Sequence, residues 1–310
     1  MSVKNRLLVW GKAVLVTALC LVSGAVLAES LTVRHHMGEL TLESSPKRVV
    51  VLGHASLDLV DALGIKPVGV VKSLLPDYLK QYQTEQYGSA GSNTEADFEA
   101  IYSLKPDLII AEARMMKVYQ ELSAIAPTYM FYVEPGHYWR DTQTNWRNLA
   151  KLFGKSAEAE TLIQGFSQQF TAQHHLSEQQ QLTALTVMNN GNNLASFGDN
   201  SRFSLVYQEL GFLSSLAKNV ESTVGPHGNL ISFEYIADAA PDVLLVLDRE
   251  QAIGRSSGRA KSLFNNPLVA STPAAKHQRI VFVDPAAWYL SAGGPRATQI
   301  MLDDVHKAFN

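Results

Sequence analysis

Short apolar runs alternate with amphipathic segments along most of the chain. Near the start, residues 31–35 and 39–42 predict two short strands around a tight turn, and residues 49–52 predict a buried strand. The next segment, residues 56–63, spaces its apolar side chains at helical intervals and is followed by Gly64, a typical helix stop. Strand patterns that alternate with helical patterns in this way are typical of an α/β fold.

One pattern of helix and strand occurs twice. The segment 97–101 (DFEAI) precedes 106–110 (PDLII), and the segment 232–236 (SFEYI) precedes 241–245 (PDVLL) with the same spacing. A short helix followed by a Pro-initiated buried strand explains each copy by packing alone. The equal spacing favours a duplicated, two-lobed design over two common units that agree by chance.

A long helical pattern without strands lies between the two copies. Gly154 precedes it, and residues 156–176 carry apolar side chains at helical spacing. We assign Ser156 as the N-cap, with Glu158 in the first turn where the helix dipole favours an acid. A helix of about five turns is long enough to connect two lobes.

The N-terminal end has the order of residues that is typical of a signal peptide. Basic residues precede an apolar run over residues 13–22, and small residues come before Ala28. We therefore predict a signal peptide over residues 1–28 and a periplasmic mature protein. A retained membrane anchor is disfavoured because the run is shorter than a span of about 20 residues. Lipidation at Cys20 is disfavoured by the bulky Leu19 beside it.

The mature protein is predicted to have three parts and an acidic balance. They are an N-terminal lobe (29–153), a connecting helix (154–180) and a C-terminal lobe (181–310). The chain has 26 basic and 29 acidic residues; the signal peptide contains three of the basic ones, so 23 against 29 remain, a formal charge of −6. The single cysteine also leaves with that segment. This balance argues against nucleic acid as a partner, so any anion site must be a local cluster of arginines.

Together these features resemble a known family. The chain is similar to the class III substrate-binding proteins of ABC importers, which bind siderophores, haem, vitamin B12 or metal ions between two lobes. Within that class it resembles the subgroup that binds ferric catecholates related to enterobactin. The similar segments are 113–116 (ARMM), 199–203 (DNSRF), 225–228 (GPHG), 246–249 (VLDR) and 288–294 (WYLSAGG).

The resemblance covers residues 30–310 and carries several implications. It implies an α/β fold of two Rossmann-like lobes joined by a single long helix. It implies a ferric catecholate siderophore as the ligand, with Fe(III) as cargo and no intrinsic cofactor. It also implies an inner-membrane ABC permease as the partner of a monomeric protein that is not an enzyme.

Three arginines are candidates for binding the siderophore. Arg114, Arg202 and Arg249 each follow a strand-like apolar run or lie in a polar turn. In a doubly wound sheet such loops line the crevice where ligands bind. Guanidinium groups match an anionic aromatic ligand by charge-assisted hydrogen bonds and by stacking. The alternative is three unrelated surface arginines.

His227 and Tyr289 are the candidate iron ligands that the resemblance implies. Fe(III) prefers six ligands, and a siderophore with two catechols supplies four, so an imidazole and a phenolate complete the shell. The alternatives are an exposed loop histidine and a packed aromatic residue. His54, which closely follows a predicted strand, and Trp288 are further candidates for siderophore contacts.

Glu99 and Glu234 occupy equivalent positions in the two copies of the repeat. In the resembling class, one glutamate on each lobe docks onto arginines of the permease, and these two residues match that pattern. The alternative is a glutamate in a first helical turn, where the helix dipole favours it.

Other functions are considered from the same residues. A metal-dependent periplasmic enzyme has no support, because no His-Glu-x-x-His helix, P-loop or Gly-x-Gly-x-x-Gly motif is present. A bare metal ion could use His54, His137 and His227, but the three arginines would repel it. Haem and vitamin B12 stay open as alternative ligands of the same fold, since haem could pair its propionates with arginines.

Overall fold

The structure is a computed structural model that describes residues 30–216, 228–255 and 258–309. The predicted signal peptide, residues 1–28, therefore lies outside the described residues. The strands of the described part are β1 (Leu31–His35), β2 (Gly38–Leu42), β3 (Val49–Leu52), β4 (Gly69–Val70), β5 (Gly88–Ser89), β6 (Leu108–Glu112), β7 (Thr128–Phe131), β8 (Thr183–Asn190), β9 (Asn193–Phe197), β10 (Leu213–Ser214), β11 (Asn229–Ile231), β12 (Val243–Asp248) and β13 (Ile280–Phe282).

Helices connect most of these strands. They are α1 (His54–Ala62), α2 (Phe98–Ser103), α3 (Tyr119–Ile125), α4 (Tyr138–Leu152), α5 (Ser156–Gln180), α6 (Ser204–Gln208), α7 (Phe233–Ala239), α8 (Arg249–Ala252), α9 (Arg259–Leu263), α10 (Pro267–Ala270), α11 (Pro273–Lys276) and α12 (Pro295–His306). Short 3₁₀ segments lie at Asp77–Gln83, Ala113–Val118 and Lys307–Phe309, and a π-helical turn lies at Ala286–Leu290.

Strands β1 and β2 form a separate antiparallel hairpin, and the remaining strands form two sheets, one on either side of α5 in the chain. The first sheet is parallel throughout and has the order β5-β4-β3-β6-β7. The second has the order β11-β9-β8-β12-β13, with parallel pairs in its later half and antiparallel pairs where β9 joins β8 and β11. Parallel strands need helical crossovers, which explains the alternation seen in the sequence. The predicted α/β fold is confirmed.

The two copies of the repeat form the same structural unit. Helix α2 begins at Phe98 and helix α7 at Phe233, and each is capped by the side chain of the preceding residue. Asp97 accepts a hydrogen bond from the Ala100 N–H at 2.9 Å, and Ser232 accepts one from Tyr235 at 3.3 Å. Strands β6 and β12 then pair in parallel with β3 and β8, the central strands of the two sheets.

The aspartate of each Pro-Asp pair anchors the neighbouring strand in the same way. Asp107 accepts hydrogen bonds from the N–H groups of Lys47 and Arg48, both at 2.8 Å, just before β3. Asp242 accepts hydrogen bonds from the N–H and hydroxyl of Thr183, at 3.0 and 2.8 Å, at the start of β8. The equal spacing in the sequence therefore reflects equal structural roles, which two units agreeing by chance would not have.

The long helix is confirmed, but its first residue was assigned wrongly. Lys155, not Ser156, is the N-cap, because the Lys155 carbonyl accepts the first intrahelical hydrogen bond, from Ala159 at 3.1 Å. Gly154, with φ of 67°, turns the chain one residue earlier than the capping pattern predicts. The helix ends at Gln180, the last residue of the predicted connecting helix 154–180.

One apolar core extends from the first sheet to the second. It contains Val51 of β3, Trp146 of α4, Phe166 of α5, Leu245 of β12 and Met301 of α12. None of the helices among residues 30–216, 228–255 and 258–309 combines the length and apolar character that crossing a bilayer requires. The proposed lobe boundaries at residues 153 and 181 stay a prediction.

The C-terminal segment packs back onto the first half of the chain. The Trp146 ring N–H donates to the Gly293 carbonyl at 2.7 Å, and the Ala297 N–H donates to the buried carboxylate of Asp58 in α1 at 2.9 Å. The two sheets are therefore connected by α12 as well as by α5.

We expect Trp146→Phe to lower the free energy of unfolding by roughly 1–3 kcal/mol, because the buried Gly293 carbonyl loses its donor. Trp146 is fully buried, so water cannot replace the lost bond. Urea unfolding followed by circular dichroism measures the change. Equal unfolding free energies of variant and parent would contradict this role.

Candidate functional site

A cleft of about 400 Å³ lies between the two sheets. One wall comes from the first half of the chain, including Glu112, Arg114 and Phe131, and the other includes Arg202 and Tyr289. A volume of this size is within the range of small-molecule sites, roughly 300–1,000 Å³. The cleft can therefore hold a ligand of moderate size.

Strand ends bring the three predicted arginines to this cleft. Arg114 lies in the 3₁₀ segment after β6, and Arg249 is the first residue of α8, directly after β12. Both follow the carboxyl end of a parallel strand, where crevices form in such sheets. Arg202 comes from the turn that precedes α6. All three line the cleft.

The three guanidinium groups converge on Tyr289. Their Cζ atoms lie 4.6 Å (Arg202), 5.5 Å (Arg114) and 5.6 Å (Arg249) from the centroid of its ring. The Arg249 Nε donates to the phenol oxygen at 2.9 Å, and an Arg202 Nη donates to the Tyr289 carbonyl at 3.0 Å. Cation–π contacts and hydrogen bonds thus hold the cations and the ring as one cluster.

A buried hydrogen bond made by the neighbouring residue holds the turn that carries Tyr289 in place. Tyr289 belongs to the π-helical turn Ala286–Leu290, a local geometry that is frequent at functional sites. The neighbouring Trp288 is 1% exposed and donates its ring N–H to the buried carboxylate of Asp304 at 2.9 Å. The structure therefore does not bring Trp288 to the cleft, because its ring packs inside and anchors the turn.

The surrounding cations favour the ionised form of Tyr289. Partial burial of the phenol raises its pKa, but the hydrogen bond from Arg249 and the charges of Arg249, Arg202 and Arg114 outweigh that effect and lower the pKa overall. Burial lowers the pKa of Arg202, yet a guanidinium stays charged at neutral pH. The cluster is therefore cationic and prepared for a negative oxygen.

We expect Tyr289 to titrate below the ordinary tyrosine pKa of about 10. Ultraviolet absorbance of phenolate is followed as the pH is raised, for the parent protein and for Tyr289→Phe. The difference between the two titration curves gives the titration of Tyr289 alone. Arg249→Gln should raise the pH at the midpoint of the Tyr289 titration, because it removes the hydrogen bond to the phenol oxygen and a neighbouring positive charge. Arg147→Gln, on the exposed face of α4, is the control and should leave the midpoint unchanged. A midpoint at or above the ordinary value would contradict the geometry.

Some residues of the cleft had no sequence-based prediction. Phe131 and Tyr132 form an aromatic wall at the end of β7, and Glu112 is the last residue of β6. All lie at carboxyl ends of parallel strands, which is the signal that could have identified them. Tyr138 and Met188 complete the apolar lining.

The structure does not place the ring of His54 in the lining of the cleft. His54 is 1% exposed, and burial, aided by the charge of Arg114, lowers its pKa to about 4. Its ring is therefore neutral and inside the protein, although the adjacent Ala55 lines the cleft. His227 lies outside the described residues. Among those that are described, no group of three or more His, Cys, Asp or Glu side chains could hold a bare metal ion.

Glu99 and Glu234 lie away from the cleft on exposed surfaces. Each is in the first turn of a short helix, α2 or α7, and each side chain is exposed. Hydrogen bonds from Ser232 and from its own N–H lower the pKa of Glu234, so it is ionised at neutral pH.

Comparison with known proteins gives consistent matches. A family model described as periplasmic binding protein matches residues 49–287. The petrobactin-binding protein YclQ of Bacillus subtilis is 32% identical over 89% of this chain and 87% of its own length. The ferric-anguibactin-binding protein FatB of Vibrio anguillarum is 30% identical over 90% and 87%. The crystal structure of the periplasmic catecholate-siderophore binding protein VctP of Vibrio cholerae has a TM-score of 0.85 and 43% identity, covering 90% of this chain and 100% of that one.

Proposed function

Because the chain belongs to the periplasmic binding protein family, we propose that it captures a ferric catecholate siderophore for delivery to an inner-membrane ABC permease. The family and the relatives are substrate-binding proteins, so the chain is a binding protein and not an enzyme. It works in the periplasm as a monomer, with Fe(III) as its cargo.

The convergence of three guanidinium groups on one phenol is the observation that carries this proposal. A ferric catecholate is anionic, and its charge is spread over planar aromatic oxygens. Guanidinium groups bind such oxygens by charge-assisted hydrogen bonds and stack on aromatic rings. The aromatic wall of Phe131 and Tyr132 supplies apolar contact for the catechol rings.

Similar proteins support the same ligand class. YclQ and FatB are named for petrobactin and ferric anguibactin, and VctP is named for catecholate siderophores. A bare cation is disfavoured because three positive charges at the cleft would repel it. None of these three proteins is named for binding haem or vitamin B12.

The iron ligands from the protein are Tyr289 and His227 in this proposal. Tyr289 presents a phenol whose ionised form the arginines favour, and a phenolate is a hard oxygen ligand suited to Fe(III). A phenolate oxygen has more than one lone pair, so Tyr289 can bind iron and still accept the hydrogen bond from Arg249. His227, in the sequence Gly-Pro-His-Gly, supplies the second position.

Quenching of tryptophan fluorescence by a panel of complexes tests the function. The panel contains ferric bis-catecholate, ferric tris-catecholate, ferric hydroxamate, haem and cobalamin. We expect the catecholates to bind tightest and to give a broad charge-transfer band. A sharp Soret band with tight haem binding, or preference for the hydroxamate, would refute the catecholate assignment.

Delivery to the permease is assigned to Glu99 and Glu234. They occupy equivalent positions on the two copies of one structural unit, both are exposed, and neither lines the cleft. A pair of carboxylates, one from each half, is suited to contact basic residues on a two-fold permease.

We expect the double variant Glu99→Ala, Glu234→Ala to lose siderophore-dependent iron uptake and to keep its affinity for the ferric complex. Uptake of radioactive iron in cells that depend on this protein measures the first, and fluorescence quenching measures the second. The matched control is Glu121→Ala, Glu158→Ala, which removes two exposed acids from first turns of other helices. Normal uptake by the Glu99, Glu234 variant would refute the docking role.

A further inference from the structure

Among the described residues that line the otherwise cationic cleft, Glu112 is the single carboxylate. Glu112, the last residue of β6, accepts hydrogen bonds from the N–H and the hydroxyl of Ser56, both at 2.8 Å, near the first turn of α1. Gly53 makes this position possible, because a Cβ at residue 53 would overlap the carboxyl group of Glu112. The side chain is therefore held in one place by its neighbours.

Glu112 forms no salt bridge with another described residue, although the charge of Arg114, two positions along the chain, acts on it. Burial raises the pKa of Glu112 overall, although the hydrogen bonds from Ser56 and the charge of Arg114 oppose that rise. In its ionised form this group weakens the attraction of the cleft for a purely anionic complex, and a cation placed beside it favours that ionised form.

We propose that Glu112 is a specificity-determining residue that selects ferric catecholates whose linker carries a protonated amine. This inference rests on the proposed function, since it assumes that the iron-catecholate part of the ligand lies on the arginines and Tyr289.

The geometry separates the two parts of such a ligand. Tyr289, Arg202 and Arg249 belong to the second half of the chain, whereas Glu112 lies in the opposite wall together with Arg114. A carboxylate has about four acceptor positions, so the contacts with Ser56 leave capacity for a ligand donor. An ammonium group on the linker restores the favourable charge balance that an all-anionic ligand lacks.

Capping of α1 is the competing explanation for this side chain, and Glu112→Gln separates the two roles. Glutamine keeps an amide oxygen for the Ser56 donors and removes the negative charge. The probes are the ferric complexes of two synthetic bis(2,3-dihydroxybenzamide) ligands, identical except that one linker bears a primary ammonium and the other a methyl group.

We expect the parent protein to bind the ammonium complex about tenfold tighter, which is the change typical of one charge-assisted hydrogen bond. Glu112→Gln should lose that preference, and its affinity for the methyl complex should stay equal or rise. Glu121→Gln, an exposed acid of α3, is the control and should keep the parent's preference. The melting temperature of each unliganded protein reports on capping.

The outcomes distinguish this proposal from the function on which it rests. Equal binding of both complexes by the parent would overturn the role of Glu112 and leave the siderophore function intact. This comparison uses the parent protein alone, so it holds even if the variant does not fold. Equal loss of both affinities in Glu112→Gln, together with a lower melting temperature, would assign the residue to capping alone and overturn the proposal. Binding of neither complex by the parent would overturn the siderophore function itself and this inference with it.

Discussion

Tyr289→Phe is expected to weaken binding of a tetradentate ferric bis-catecholate by about 10- to 100-fold and to shift its charge-transfer band. A loss of this size corresponds to one charge-assisted interaction of roughly 1.5–3 kcal/mol. Phenylalanine keeps the ring over which the guanidinium groups lie and removes only the oxygen. The change therefore isolates the contribution of the phenolate to binding.

Hexadentate ferric tris-catecholate is the internal control for this variant. Three catechols already fill the coordination shell, so Tyr289 can contribute at most hydrogen bonds or packing to that complex, and the variant should lose much less affinity for it. Fluorescence titration and visible spectra of both complexes measure the two effects. His227→Ala should act in the same direction. Equal losses for both ligand classes, with no movement of either spectrum, would exclude coordination by these residues.

Arg202→Gln is expected to weaken the binding of every anionic ferric catecholate by roughly 1–3 kcal/mol, because a partly desolvated charge is lost. Arg202 is the arginine whose Cζ lies nearest the Tyr289 ring, and it also donates to the Tyr289 carbonyl. Its removal therefore takes away one cation and loosens the residue that meets the iron. The affinities of Arg202→Gln, Arg114→Gln and Arg249→Gln are compared by titration.

Two further variants separate charge from folding. Arg202→Lys keeps the charge without the planar fork of donors and should recover only part of the affinity. Arg147→Gln removes an exposed arginine whose partner is Glu160, and should bind like the parent. Parent-like affinity in all three cleft variants would mean that the ligand binds elsewhere.

Elements set by neighbouring residues were predictable from the sequence. The apolar run of β3, the hairpin of β1 and β2 and the two copies of the helix-strand unit depend on hydrogen bonds and side-chain periodicity within short segments. The N-cap of α5 was the exception, because the turn at Gly154 decides whether Lys155 or Ser156 closes the first helical bond. Local patterns predict that a helix exists more reliably than its first residue.

The site was predictable in composition but not in arrangement. Arg114, Arg202 and Arg249 follow apolar runs or lie in polar turns, and strand ends meet at one edge of a sheet, so their shared location follows from fold class. Their convergence on Tyr289 joins residues 40 to 175 positions apart, and Trp288 turned inward although it is adjacent to Tyr289 in sequence.

The sequence alone determined the fold class, the duplicated unit and the residue types that an anionic aromatic ligand requires. Tertiary structure decided that α12 packs back onto α1, that His54 is buried and that Glu112 joins the cleft. The physical reason is the distance along the chain over which each interaction acts. Periodicity and capping act over a few residues, whereas burial and proximity at the site depend on how two sheets and their helices pack around one core.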